Sequence, residues 1–557
     1  MPLNGRFRMR PKLRIGTLSA GQRVPYWAAR MMERIGTSSY AEIGLHVTVG
    51  TSDREGHRPP SSRSLLYRAH EAADELVCKT PLLMGGSGRP DPFKHEDLPA
   101  VLDGVERFHL GDGQRPVKAS PDVFDRLKRK DLDVLVDAGS ELDLDDISAA
   151  SRYGVLSFFP GDCMRYDGRS AGFWEIYDGA LATSSHVRRT HGGRTFPVYL
   201  SYSRTVNWSE KRNREQAYLK GISFIPRVLE ALCHGGEEAI SPVTDEGAAC
   251  ASSSRPSPGN LDVVKFHFRN LPRNARIIIR KTLYRESWAI RYKLGENMPT
   301  SFEDFVAMEP PKGVWWGDPH VARHGDDLLI FIEELQLPFG KNHGHISVIK
   351  MDPQGRYERP VKVLERPYHL SNPLVFEWEG RRFLVPESAH GRTIELYEAV
   401  EFPYGWKLVK NIMTDVHAVD TTIVRRDGLW WLFCNIKENE GAPLNDELFL
   451  FYADDLFTDS WTPHPLNPVI TDVRRARPAG AFFEQDGVLY RPSQDCSVCY
   501  GYAININKVL RLDKQHYEEE QVGYIEPGRF GGASRVHTMN HVPGITVVDT
   551  FADLPRF

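Results

Sequence analysis

The sequence predicts two domains of different class. The first is an open, mainly parallel α/β sheet over residues 13–235. The second is an all-β, five-bladed propeller over residues 285–557, reached through a connector at 236–284 and preceded by a tail at 1–12. Three observations carry this. A chain of 557 residues exceeds one ordinary core. Its first half alternates short apolar runs with helical spacing. Its second half repeats a block of two apolar runs joined by a Gly-containing turn.

Composition narrows the functional classes. Hydrophobic residues make up 41% and charged residues 26%, as in an ordinary globular protein. With 70 basic and 74 acidic residues the net charge is -4, which leaves no overall electrostatic footprint for nucleic acid or an anionic membrane. No apolar run is long enough for a membrane span. Met1–Arg14 is basic without the apolar stretch of a secretory signal. Seven cysteines in this length are no disulfide scaffold, and Cys496-Ser-Val-Cys499 is a CxxC without a second pair. The expectation is a cytoplasmic protein with reduced thiols and no bound metal.

In the first half, Leu13–Leu18 reads as a strand, Val24–Ile35 as a helix and Ala41–Val49 as a second strand. Asp131–Asp137 has buried-strand character, Asp143–Arg152 reads as a capped helix, and Gly154–Phe159 as another strand. Open sheets of this kind bind ligands at the carboxyl ends of their strands, so the loop after Phe159 is the place to look. It runs Phe159-Pro-Gly-Asp-Cys-Met-Arg-Tyr-Asp-Gly168, followed by Ala171-Gly-Phe-Trp-Glu-Ile-Tyr-Asp-Gly179.

This loop and helix resemble the formyltransferase family, over about Leu13 to Gly221. The resemblance implies an Asn, a His two residues on and a downstream Asp, which manage protons while an amine attacks a folate-borne formyl group. Those positions here are Ser157, Phe159 and His191. A phenyl ring carries no proton, so the expectation is a retained scaffold without formyl transfer and without folate. The competing reading is a rewired transferase in which Asp162 and His191 take over, with Arg165 and Arg169 as anion partners.

The connector is rich in Gly, Ser and Pro at 235–260, a linker composition. A basic segment follows at 261–285, read as strand then helix. Glu286–Lys293 alternates and reads as one strand, suited to closing the propeller by pairing into its last blade.

The repeats can be counted. Asp318 lies seven residues before Gly325; Asn372, Asp420 and Ala479 lie eight before Gly380, Gly428 and Gly487. A weaker fifth copy runs from Val536 through Gly544. If each hairpin returns to the face where it began, one rim carries Asp318 with Glu333 and Glu334, then Asn372 with Glu387. Asp420 with Asn435 follows, then Arg477 with Gln494 and Asp495, and finally His537 with Asp549. Trp315, Trp316 and Trp431 stand nearby. Carboxylates and amides that bind hydroxyls, beside aromatic faces that stack on a ring, describe a sugar site.

Trp316-Gly-Asp-Pro, Val385-Pro-Glu-Ser, Val419-Asp-Thr-Thr, Ala476-Arg-Pro-Ala-Gly and Arg491-Pro-Ser-Gln-Asp-Cys resemble two groups. One is the arabinanase, invertase and levansucrase superfamily of five-bladed propellers. The other, more similar, is the N-terminal region of glucosamine inositolphosphorylceramide transferases. The resemblance implies an early Asp of the first blade as base or nucleophile. Glycoside chemistry needs two carboxyls, one acidic and one basic. Asp318 is the candidate base or nucleophile, Glu387 the candidate acid because it ends an apolar strand, and Asp420 the residue that tunes them. Trp316, Glu334, Asn372, Arg477, Gln494, Asp495 and His537 are the candidate substrate-binding residues. For each acid a structural role, capping a turn or bridging blades, is the competing reading.

The expected function is thus glycosyl transfer or glycoside cleavage at the propeller funnel, in polysaccharide or glycolipid assembly. The expected partner is a carbohydrate or nucleotide sugar. The alternatives are a sugar N-formyltransferase with an accessory propeller and a non-catalytic glycan-binding protein.

Overall fold

The structure is a computed structural model that describes residues 11–49, 64–78, 89–110, 120–140, 142–163, 165–166, 170–243, 255, 257–337 and 343–555. Arg169, the tail before residue 11 and the linker stretch 244–254 lie outside the described residues. The chain divides into two compact units. One comprises Met1–Ser201, Thr205–Leu271 and Glu438–Pro443; the other comprises Tyr202–Arg204, Pro272–Lys437 and Leu444–Phe557. The main division therefore falls inside the connector. No helix among the described residues is long and apolar enough to cross a membrane.

The first unit contains a seven-stranded sheet in the order Glu106–Leu110, Ala41–Val49, Leu13–Ala20, Val134–Asp137, Val155–Pro160, Ala182–His191, Arg194–Arg204. The first four pairings are parallel and Val155–Pro160 with Ala182–His191 is antiparallel. Alternate side chains feed two cores. Ile15, Val134, Val136 and Leu156 pack with Met31, Met32 and Leu229 of helices on one face. Leu18, Leu135 and Val155 pack with Leu127 and Ile147 on the other. Both faces are covered, as a parallel sheet requires.

Several sequence expectations are corrected. The helix expected from Val24 runs Tyr26–Gly36, because Arg23–Pro25 is extended and pairs with His95–Asp97. The helix expected over Asp143–Arg152 is only Leu144–Ser148, and the chain then turns into Gly154 at φ 81°. The segment read as strand then helix is the reverse: a helix over Asn260–Leu283 followed by the strand Tyr284–Gly295.

The second unit holds five four-stranded sheets. Blade one is Val314–His324, Asp327–Gln336, His345–Met351 and Val361–Leu364; blade two runs from Ser371 to Thr414 and blade three from Ala418 to Pro463. Blade four is Phe483–Gln485, Val488–Asp495, Ala503–Leu512 and Tyr517–Ile525. Blade five joins Met539–Val542 and Gly544–Pro555 to Tyr284–Gly295 and Val306–Met308. Tyr284–Gly295 pairs with the C-terminal strand from Tyr284↔Pro555 to Gly295↔Gly544. This closes the ring and removes a free sheet edge at both chain crossings.

Each of the first three blades begins with the same bulge. Gly317↔Glu333, Ser371↔Glu387 and Val419↔Asn435 are paired, and the ladder resumes at His320, Leu374 and Thr422. Asp318, Asn372 and Asp420 occupy the bulges with φ of 47°, 40° and 49°. Asp and Asn tolerate this left-handed backbone better than most residues. In blade four the equivalent is Gly480 at φ 120°, one residue past the expected Ala479. A Cβ there would lie 2.1 Å from the Met539 carbonyl oxygen. Gly480→Ala is expected to lower the unfolding free energy by about 1–3 kcal/mol or more, and a urea midpoint equal to that of the wild type would contradict this.

Candidate functional site

A bulge breaks the strand ladder and leaves an N–H without its strand partner. At the blade starts the missing acceptor is a carboxylate of the preceding blade. Asp318 N–H donates to Asp549 Oδ2 at 3.0 Å, Asn372 N–H to Asp318 Oδ2 at 3.1 Å, and Asp420 N–H to Glu387 Oε2 at 3.1 Å. The backbone rule that suits Asp or Asn to the first three starts thus also gathers acidic side chains on one side of the ring.

Around Asp318 the cluster is dense. Its Oδ1 accepts from the Thr538 hydroxyl at 2.8 Å and lies 3.1 Å from His537 Nε2. His537 Nδ1 lies 2.7 Å from Asp549 Oδ2, so the imidazole is held between two carboxylates. Trp288 packs on the His537 ring at 4.3 Å and Tyr500 meets it edge-on at 5.3 Å. Burial pushes the Asp318 carboxyl up, but the His537 charge and hydrogen bond, the Thr538 hydroxyl and the Asn372 N–H outweigh this and hold it at about 2. The His537 imidazole is correspondingly raised well above its ordinary value, because the two carboxylates outweigh its burial.

On the next blades Arg477 Nε donates to Asp420 Oδ2 at 2.6 Å, and Arg477 Nη1 to Asn445 Oδ1 at 2.7 Å. Gln494 Nε2 reaches the same Asp420 oxygen at 2.9 Å and the Pro478 carbonyl at 2.8 Å. The guanidinium lies 4.8 Å from the Tyr500 ring centre. Glu387 is pushed up to about 8, first by desolvation and then by the negative charge of Asp420, with Asp318 adding to both; Arg477 and the Asp420 N–H only partly offset this. Two carboxyls of one cluster are therefore driven in opposite directions.

The structure brings Asp318, Glu387, Asp420, Asn372, Arg477, Gln494 and His537 to this side of the ring. Four others lie elsewhere, Glu334 among them. Trp316 is packed in the core with Ile290, Met308 and Ile330, and Trp431 is buried among Phe433, Leu448 and Tyr517; neither ring is open for stacking. Asp495 accepts from the Tyr524 hydroxyl and the Ser497 N–H, and Arg477 pairs with Asp420 rather than with it.

Glu334 is displaced by its neighbour. Strand alternation turns it away to Ser347, whose hydroxyl donates to it at 2.7 Å, and to His345. Glu333 stands at the register of Glu387, with His369 Nε2 at 3.1 Å. Burial raises its carboxyl despite His369, and the Asp318 charge adds to the rise.

Tyr500 carried no assigned role in the sequence. Its hydroxyl is raised well above the ordinary value by burial and by the charges of Asp420, Asp318 and Glu387, against Arg477. A half-buried phenol in the field of all three acids is visible only once the blades are folded.

In the first unit Ser157 and Phe159 are buried on Val155–Pro160. Arg188 lies over the Phe159 ring at 4.2 Å. Thr190 pairs with Val155 and His186 with Phe159. His191 is therefore five residues, roughly 17 Å of strand, from the register of Phe159. The loop holding Asp162 follows Pro160, at the end of the strand away from the Val155↔Thr190 pair beside which His191 stands. The Cys496 thiol is buried, with Sγ 3.5 Å from the Gln494 side-chain oxygen.

The class defined by this fold and cluster is a five-bladed β-propeller with an acidic cluster gathered on one side of its ring. Residues 309–531 match the family described as glucosamine inositolphosphorylceramide transferase 1, N-terminal. The Oryza sativa subsp. japonica glucosamine inositolphosphorylceramide transferase 1 is 34% identical over 218 residues, which are 38% of this chain and 29% of that protein. The Arabidopsis thaliana protein of the same name is 36% identical over 218 residues, 38% of this chain and 28% of its own length. The match thus spans less than a third of these relatives.

Among solved structures, Zg3597, a family 117 glycoside hydrolase of Zobellia galactanivorans, is similar at a TM-score of 0.32. It is 12% identical and covers 48% of this chain and 90% of that one. Glycinamide ribonucleotide transformylase 1 from Symbiobacterium toebii is similar at 0.26, with 14% identity, covering 40% of this chain and 89% of that one.

Proposed function

We propose that the propeller cluster binds a glycosyl unit and transfers or cleaves it, in the assembly of a glycolipid or polysaccharide. The observation that supports this is the opposed ionisation of Asp318 and Glu387. At neutral pH the first is a carboxylate and the second a carboxylic acid, the pairing that glycosidic chemistry uses. In this reading Glu387 gives its proton to the leaving oxygen. Asp318 attacks or stabilises the anomeric carbon, or takes the proton of the incoming hydroxyl. Asp420, fixed by Arg477 and Gln494, keeps Glu387 protonated through its charge. The name of the matched family, a transferase acting on inositolphosphorylceramide, agrees with a glycosyl acceptor in a glycolipid. Release or transfer of sugar from a panel of glycosides and nucleotide sugars tests the reading. Failure of every substrate to turn over would remove it.

One observation favours a second reading, a binding-only propeller: Asp318, Glu387 and Asp549 each also cap a bulge N–H of the next blade. Sugar binding without turnover would select it.

For residues 13–235 the proposed role is a scaffold without formyl transfer, supported by Phe159 and by the Arg188 guanidinium stacked on it. Calorimetric titration with a formyl-folate analogue is expected to give no saturable binding. Saturable binding that is lost when Ser157 is replaced by a bulky residue would overturn this.

A further inference from the structure

The helix Asn260–Leu283 is apolar on two opposite faces. On one, Val263 and Phe266 are buried against Tyr67, Tyr166, Phe173 and Trp174 of the first unit. On the other, Leu261 is 64% exposed, Val264 48%, Phe268 81% and Leu271 70%. At about 100° per residue these four side chains fall within a stripe of roughly 80°. Exposure of this extent on a structured helix marks a surface that meets something apolar.

The charge beside the stripe says what. The helix carries six basic residues and a single acid, Asp262, in a chain whose net charge is -4. Lys265 and Arg269 follow the stripe along one flank by the same helical count. An open hollow lined by Tyr177, Val264, Lys265, Phe268 and Arg269 lies on the first two turns. There Arg269 donates to the Tyr177 carbonyl at 3.1 Å and lies over its ring at 4.7 Å. The patch continues onto the start of Leu65–Cys78, where the Leu66 N–H donates to Asn260 Oδ1 and Leu65 is 76% exposed.

We propose that this helix docks the protein on an anionic lipid surface, its apolar stripe in the acyl boundary and its basic flank among the headgroups. An apolar stripe with basic residues beside it is the pattern of helices that lie in a bilayer interface. An antiparallel second copy fits less well, because packing stripe on stripe then brings the two basic flanks together. The inference stands independently of the glycosyl reading.

The test is sedimentation of the full chain with phosphatidylcholine vesicles, with and without phosphatidylserine. Binding is expected only with phosphatidylserine and is expected to weaken as salt rises. Phe268→Glu with Leu271→Glu is expected to weaken it at least about tenfold, and Lys265→Glu with Arg269→Glu likewise, with far-UV circular dichroism unchanged. Equal binding to both vesicle types, no binding, or folded variants that bind as the wild type does would each overturn the proposal. So would a wild-type dimer that the Phe268 variant converts to monomer without any vesicle binding.

Discussion

Turnover by Asp318→Asn is expected to fall by about 10²–10⁴-fold, with sugar binding retained. The variant keeps the shape of the side chain and the acceptor for the Asn372 N–H, but loses the charge that His537 stabilises. Glu387→Gln is expected to lose a comparable factor on substrates with poor leaving groups and much less on activated aryl glycosides, whose leaving oxygen needs no proton. The pH profile separates the roles. Glu387 acts while protonated, so turnover should fall as pH rises through about 8. Asp318 acts while ionised, so its limb lies near pH 2, below the useful range. The wild type should therefore show one alkaline limb, and Glu387→Gln should abolish it. Full turnover in both variants would end the catalytic reading.

Arg491→Met is expected to cost about 3–5 kcal/mol of stability, a large share of the roughly 5–15 kcal/mol that holds a typical domain. The Arg491 side chain is 1% exposed and that of Glu519 is 3% exposed. Arg491 Nε and Nη2 reach the two Glu519 oxygens at 2.7 and 2.8 Å, and Nη2 also donates to the Arg475 carbonyl. The Tyr517 hydroxyl donates to the same carboxylate at 2.5 Å. Removing the guanidinium strands a buried carboxylate in blade four. Adding Glu519→Leu removes that charge and should recover most of the loss. The measurement is the urea midpoint of each variant. A single variant within about 1 kcal/mol of wild type would sink the argument, since that is the range of exposed pairs.

The propeller was legible because its signals are local and repeated. Asp318, Asn372 and Asp420 recur at matched distances from a turn glycine, and a two-residue side-chain period does the rest. The bulges at which these residues sit left no separate mark, yet their left-handed backbone suits the Asp or Asn found there. The connector was read in the wrong order, because its basic residues and mixed apolar spacing carry no firm period. Trp316 and Trp431 were assigned to stacking by residue type, but alternation along their strands sends both rings into the blade interfaces.

By itself the sequence determined the two fold classes, the five blades and the strand that closes them, for each follows from periodicity and turn chemistry within a few tens of residues. Only the tertiary structure decided which acids act together. Closing the ring brings Asp549 and His537 from the end of the chain onto Asp318, and turns Glu333 inward in place of Glu334. It also sets Arg477 and Tyr500 beside Asp420. Those proximities, with the loss of solvent around them, push Glu387 up and hold Asp318 down, because the field at a carboxyl depends on distance in space and not on separation along the chain.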